Sequence, residues 1–206
     1  MLLPIHPANP DSRRLSTVVE CLKAGGVIIC PTDTVYSFAC DIENPKGLEM
    51  IAKLKGEKAD KATFSIVCAD LSHLSNFCMP ISSPVFKMIK RALPGPYTFI
   101  LNANGNVPKL FKSKKKTIGI RVPDNKIILA IVAELGRPLV VSSVHDADRV
   151  IEYTTDPELI HERHSNEIDI VIAGGFGGVE PSTVIDCTGQ NPELVRQGKG
   201  SIDVLR

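Results

Sequence analysis

Gly26-Val27-Ile28-Ile29-Cys30 runs straight into Pro31-Thr32-Asp33-Thr34-Val35-Tyr36. The apolar half reads as a buried strand and Pro31 ends it. The polar half is then delivered by a rigid strand end, where α/β proteins commonly hold ligands. Alone, the hexapeptide reads equally well as a polar turn between two strands. A second segment, Ser182-Thr183-Val184-Ile185-Asp186, repeats the pattern of hydroxyls beside a short strand far down the chain.

Outward from the hexapeptide, periodicity and capping residues predict the remaining elements. Asp11-Ser12 opens a helix that ends at Lys23-Ala24-Gly25-Gly26. A second strand runs through Tyr36 to Cys40. Asn44-Pro45 opens a helix whose apolar face is Leu48, Ile51, Ala52 and Leu54. Phe64 to Cys68 reads as a strand, Asp70 to Phe77 as a short helix, and Ser83-Pro84 as the cap of a helix through Arg91. Tyr97–Asn102 and Thr117–Val122 alternate as strands able to pair. Asp124 to Leu135 is a helix closed by Gly136. Strands follow at 138–142, 168–173 and 183–186, with a helix from Asp156-Pro157 to about Asn166. Short connections at 26–40 and 97–122 imply antiparallel pairs. The expectation is an α/β protein: one domain over residues 1–206, with a twisted, open, mixed sheet and flanking helices.

Composition narrows the function classes. The chain has 206 residues, 43% hydrophobic and 23% charged, which suits one sizeable core. Aromatics are only 5%, with no Trp, so Val, Ile, Leu and Ala must build that core. A net charge of +1 gives no global attraction to nucleic acid or membrane. The six cysteines include no CxxC pair and read as reduced core thiols of a cytoplasmic protein. The N-terminus carries no signal-peptide pattern, and no apolar run approaches the ~20 residues of a membrane helix. His161 and His164, at i and i+3, make half a metal site or, on the simpler reading, exposed helix residues.

The hexapeptide and the Ser182–Asp186 segment occur in order with Ile120-Arg121-Val122-Pro123 and Arg196-Gln197-Gly198. Together they resemble the YrdC/YciO family, which includes the threonylcarbamoyl-AMP synthases, from about residue 15 to residue 200. Pro94-Gly95-Pro96-Tyr97-Thr98-Phe99-Ile100-Leu101 and Lys116-Thr117-Ile118-Gly119 resemble its YciO branch. The resemblance implies a YrdC/RibB-like fold and a nucleotidyltransferase. Its reaction is the ATP-dependent formation of L-threonylcarbamoyladenylate from L-threonine and bicarbonate, for tRNA modification. ATP with Mg²⁺ would be a substrate, and no tightly bound cofactor is implied. Thr34, Arg121, Ser143 and Ser182 would bind L-threonine. Lys55, Lys61, Thr117, His145 and Arg196 would bind ATP.

Arginine suits a carboxylate because its fork donates two parallel hydrogen bonds. Such chemistry needs positioned cations, hydroxyls and N–H groups rather than a nucleophile, and no Ser-His-Asp or Cys-His pattern is present. The chain departs from the synthases twice. Lys55-Gly56-Glu57 replaces a Lys-x-Arg pair, and Ser143-Val144-His145 replaces a Ser-x-Asn motif. One acid facing the triphosphate at about 5 Å, in an effective dielectric near 20, is unfavourable by ~3 kcal/mol before screening. These departures imply weakened synthase activity. The lysine run Lys109, Lys112, Lys114, Lys115 and Lys116 reads as a solvated loop tip or as a backbone contact to double-stranded RNA or tRNA. On the second reading the nucleotide pocket would be vestigial.

Overall fold

The computed structural model describes residues 1–57, 64–107, 116–144 and 154–205. Along them run β1 (Leu2–Pro4), α1 (Ser12–Lys23), β2 (Ile28–Cys30), β3 (Ser37–Asp41), α2 (Pro45–Leu54) and β4 (Ser65–Val67). A 3-10 turn (Leu71–His73) leads into α3 (Leu74–Phe77), then α4 (Ser83–Ala92), β5 (Tyr97–Asn102), β6 (Thr117–Arg121) and α5 (Lys126–Leu135). β7 (Leu139–Ser143), α6 (Pro157–His164), β8 (Ile170–Ala173), β9 (Thr183–Asp186) and β10 (Glu193–Arg196) complete the sheet, and a 3-10 turn (Ile202–Leu205) follows.

Helix ends follow the capping residues. Asp11 accepts from the Arg14 N–H, Asn44 from Gly47 and Asp156 from Glu158, each at the start of its helix. Gly136 closes α5 with φ 76, a left-handed conformation that glycine adopts without Cβ strain. The α4 cap is Ser82 rather than Ser83.

Ten strands among the described residues form one mixed sheet in the order β1-β8-β2-β3-β7-β4-β6-β5-β9-β10. The short connections give antiparallel pairs, β2 with β3 and β5 with β6. β5 with β9, β4 with β6 and β2 with β8 are parallel. The fold is a single α/β domain, as expected. The sequence reading missed both edge strands. β1 has three residues, and all four residues of β10 are exposed, so neither shows a buried periodicity.

The two faces of the sheet are covered differently. One carries Ile29, Phe38, Cys40, Ile66, Ile118, Ile120, Phe99, Leu101, Val140 and Ile185, packed by α2, α4 and α6. The other carries Ile28, Cys30, Ala39, Val67, Leu139, Val141, Ile170 and Ile172 beneath α1 and α5. At roughly 25 cal/mol per Å² of apolar area removed from water, these two cores are the main stabilising term. On the second face the helical cover stops short. Ser65, Thr117, Gly119, Arg121, Thr98, Ile100, Ser182, Val184 and Asp186 alternate with the core residues of their strands or strand ends. They therefore lie on that face beyond α1 and α5.

Candidate functional site

Thr32, Asp33 and Thr34 form a tight polar turn between β2 and β3. The Thr32 hydroxyl donates to the Val35 carbonyl at 2.8 Å, so its oxygen accepts from the Thr34 N–H at 3.1 Å and the Thr34 hydroxyl at 3.0 Å. Thr34 in turn accepts from Arg121 Nη2 at 3.0 Å. Its hydroxyl keeps one lone pair for a further donor.

By register Arg121 lies level with Val67 and Leu139, toward the opposite end of the sheet from Cys30, Ser37 and Ser143. Its contact with the Thr32–Thr34 turn follows from sheet twist. Four strand steps separate β2 from β6, roughly 80–100° at about 20–25° per step. Arg121 Nη2 also donates to Asp33 Oδ1 at 3.0 Å, and the two side chains are only 7% and 8% exposed. Asp33 Oδ2 accepts from the Asp124 N–H at 3.1 Å, and the Asp33 carbonyl accepts from Lys199 Nζ at 2.6 Å.

Arg121 is thus a buried cation paired with a buried carboxylate. Burial lowers its pKa most, the Asp33 carboxylate opposes this, and the Arg196 charge lowers it further. Arginine is the most basic side chain and stays charged through such perturbation. Its buried Nε has no hydrogen-bond acceptor among the described residues.

A second group of polar side chains faces this turn from the far strands. The Ser182 hydroxyl lies 2.8 Å from that of Thr98, and both are buried. The Ser182 carbonyl accepts from Arg196 Nη2 at 2.9 Å and Nε at 3.3 Å. The fully buried Thr183 hydroxyl donates to the Gly200 carbonyl at 2.7 Å and accepts from the Gly198 N–H at 3.0 Å. The C-terminal segment therefore locks the start of β9.

The segment Gly174-Gly175-Phe176-Gly177-Gly178 packs against the Thr32–Thr34 turn and Tyr36. Its backbone is clamped onto the turn: Tyr36 donates to the Gly175 carbonyl at 2.6 Å and accepts from the Gly174 N–H at 3.2 Å, and the Gly178 N–H donates to the Thr34 carbonyl at 2.7 Å. A Cβ at Gly178 would stand 2.7 Å from that carbonyl, so the approach requires glycine.

Arg121 and Thr34 touch, Ser182 sits with Arg196, and Ser143 lies further off. Ser143 is half-buried opposite Ser37, with its carbonyl 3.5 Å from Lys55 Nζ. Thr117, half-buried, opens β6 four residues before Arg121. Lys61, His145, Lys112, Lys114 and Lys115 lie outside the described residues. Lys116 is exposed, and so is Glu57.

His164 corrects an expectation: it is 8% exposed and packs edge-on to Phe38 with ring centroids 5.3 Å apart. Helical spacing turns it inward with Ile160, four residues earlier. No group of three or more His, Cys, Asp or Glu among the described residues is placed to hold a metal ion. All six cysteines are free. No helix among the described residues is long and apolar enough to cross a membrane.

The sequence reading missed Asp33, Thr98 and Lys199. Asp33 stood inside the quoted hexapeptide, and Thr98 inside a correctly placed strand. Nothing local marks Lys199.

Comparison with known proteins agrees with this fold. The Sua5/yciO/yrdC family model, described as telomere recombination, matches residues 20–198. The YciO protein of Escherichia coli strain K12 is 40% identical over 200 residues, covering 96% of this chain and 95% of its own length. The crystal structure of E. coli YciO superposes with a TM-score of 0.93 at 37% identity, covering 100% of this chain and 99% of that one. A threonylcarbamoyl-AMP synthase of Marinobacter nauticus is 30% identical over 186 residues, 89% of this chain and 96% of the synthase. P. abyssi Sua5, crystallised with L-threonine, shares the fold with a TM-score of 0.87 at 24% identity, over 96% of this chain and 57% of its own. The chain belongs to the Sua5/YciO/YrdC family.

Proposed function

We infer that this protein binds L-threonine and ATP with Mg²⁺, and joins them with bicarbonate into L-threonylcarbamoyladenylate. The observation that carries this reading is Arg121, a buried cation with an unsatisfied Nε and a second cation, Arg196, within its field. Asp33 balances only one of the two arginine charges, which leaves the other for an anion, and an unsatisfied buried donor costs about 1–3 kcal/mol until an acceptor arrives. A carboxylate oxygen supplies that acceptor.

The other half of an α-amino acid fits as well. The spare lone pair of Thr34 can accept from the amine, and the Thr98–Ser182 hydroxyl pair can accept or donate to a small polar side chain. In the reaction the amine adds to bicarbonate with loss of water. The carbamate oxygen then attacks the α-phosphorus of ATP, and pyrophosphate leaves. Arg196 and Lys55 would offset phosphate charge, and Mg²⁺ would enter with the nucleotide. This chemistry is positioning and electrostatics and needs no nucleophilic side chain. Activity below that of the synthases follows from Glu57 and His145 at phosphate-contact positions.

Pure protein incubated with ATP, bicarbonate and L-threonine should release pyrophosphate and form the adenylate, detectable by chromatography. Loss of any one substrate should stop it. Absence of nucleotide binding by calorimetry at millimolar ATP overturns the reading.

A further inference from the structure

The bare half of the second sheet face has a feature that the amino-acid site does not use. Its residues fall on a grid set by strand register. Gly119 is flanked by Ser65 on β4 and Ile100 on β5, and Ile100 by Asp186 on β9. One step along, Thr98 is flanked by Val184. Ser65, Ile100, Val184 and Asp186 are all partly exposed, so this floor is open to solvent.

The floor is flat because of Gly119. A Cβ there would lie 2.6 Å from Ser65 Oγ and 3.3 Å from Thr98 Cγ2. With no side chain on Gly119, Ser65 and Thr98 close in on β6 beside the apolar Ile100 of β5. β6, β5 and β9 together span about 10 Å, the width of one purine.

The floor is also polarised. Arg121, Thr98, Ser182 and Arg196 mark its cationic end, whereas Asp186 lies about 13 Å along β9 from Ser182 at about 3.3 Å per residue. Asp186 Oδ1 accepts from the Thr188 N–H at 2.9 Å and the Thr188 hydroxyl at 2.6 Å. Those bonds fix the carboxylate and leave Oδ2 for an outside donor. An ionised carboxylate only accepts, so the group it selects carries N–H. A phosphate at the acidic end would be repelled, and a nucleotide therefore lies with its phosphates toward the arginines.

We propose that this floor seats the purine base of the nucleotide, with Asp186 Oδ2 accepting a hydrogen bond from the 6-amino group. The proposal rests on the nucleotide reading above and adds to it a determinant of base selectivity. Thr188 occupies one carboxylate oxygen, so the contact is a single bond, matched to the one exocyclic amine of adenine.

The test compares ATP with purine riboside triphosphate, which lacks only the 6-amino group, by calorimetry on the wild-type protein. One hydrogen bond to a charged acceptor predicts ATP binding about ten- to hundredfold tighter. In Asp186→Ala the two nucleotides should bind alike, with L-threonine binding unchanged. Equal affinities in the wild type overturn this inference and leave nucleotide binding standing. Binding of neither nucleotide overturns both. A preference that survives in Asp186→Ala removes Asp186 from the role, and the wild-type comparison needs no variant to fold.

Discussion

Arg121 Nη2 donates to Asp33 Oδ1 at 3.0 Å between two side chains that are both nine-tenths buried, and they are 88 residues apart in sequence. The bond ties the strand carrying Arg121 to the turn carrying Thr34. Breaking a buried pair from one side leaves an uncompensated charge, which costs about 3–5 kcal/mol. Arg121→Ala should lower stability by that order in urea denaturation and abolish L-threonine binding. Arg121→Lys should retain part of the stability but lose at least about tenfold in threonine affinity, because an ammonium cannot reproduce the fork. Unchanged threonine affinity in both variants would remove Arg121 from the site.

Tyr36 holds the glycine-rich segment over the same turn through one hydrogen bond given and one received. Tyr36→Phe keeps the packed ring and deletes both bonds. The expected loss is about 1–2 kcal/mol in stability. The KM for L-threonine should rise with little change in kcat, since the segment shapes the ground-state site. A variant indistinguishable from wild type in denaturation and in KM would show that the clamp is not used.

Alkaline pH should loosen the fold in a defined window. Burial pushes the thiols of Cys30, Cys40, Cys68 and Cys187 up from 9.0 to about 12, and that of Cys21 to about 11. Burial likewise takes Tyr36 from 10.0 to about 12. As pH rises the unfolded chain gives up these protons first, so unfolding is increasingly favoured. The stabilisation is complete below about pH 9 and is lost between about pH 9 and 12. Urea midpoints should stay flat from pH 7 to pH 8.5 and fall beyond it. A midpoint that rises above pH 9 would contradict the burial of these thiols.

Much of the fold is legible in local sequence because caps and periodicity are local. Asp11, Asn44, Asp156 and Gly136 mark helix ends by their own side-chain chemistry or backbone freedom. β5 and β9 run over the residues expected, since their alternating apolar residues meet a core. What local spacing does not carry is which strands neighbour one another. The parallel pairing of β5 with β9 brings Thr98 to Ser182 across 84 residues, so neither predicts the other. The same holds for Asp33, read as part of a turn and found as the counter-ion of Arg121. Thr34 and Arg121, and Ser182 and Arg196, were picked out through the resemblance, and each pair is in hydrogen-bond contact. His164 was misjudged because a histidine at i+4 from Ile160 shares its inward face.

Contact with structured RNA through the lysine run is a separate proposal. If Lys112, Lys114, Lys115 and Lys116 meet phosphates, duplex affinity should fall steeply with salt. Replacing Lys114, Lys115 and Lys116 by alanine should reduce the slope of log K against log salt by about two to three. Equal slopes for wild type and variant in a fluorescence titration would mean that the run does not touch RNA.

Glu57 offers the sharpest test of what separates this chain from the synthases. It follows Gly56, whose φ of 68 ends the α2 turn, and its N–H is held by the Ala52 carbonyl at 2.9 Å. Its side chain is exposed, two residues beyond Lys55. Glu57→Arg removes a repulsion and adds a cation that can bond a phosphate oxygen. One charge-assisted bond contributes on the order of 1.5–3 kcal/mol, or about ten- to hundredfold in ATP affinity. The gain should fall on the KM for ATP more than on kcat, because the contact already exists in the ground state. The affinity for L-threonine should not move, since no residue of that recess is altered. His145→Asn should strengthen ATP binding again, by less than the product of the two single effects if both side chains meet one triphosphate. A change under twofold in ATP affinity for Glu57→Arg would show that this side chain points away from the phosphates. The departure from the synthase pattern would then have no bearing on catalysis.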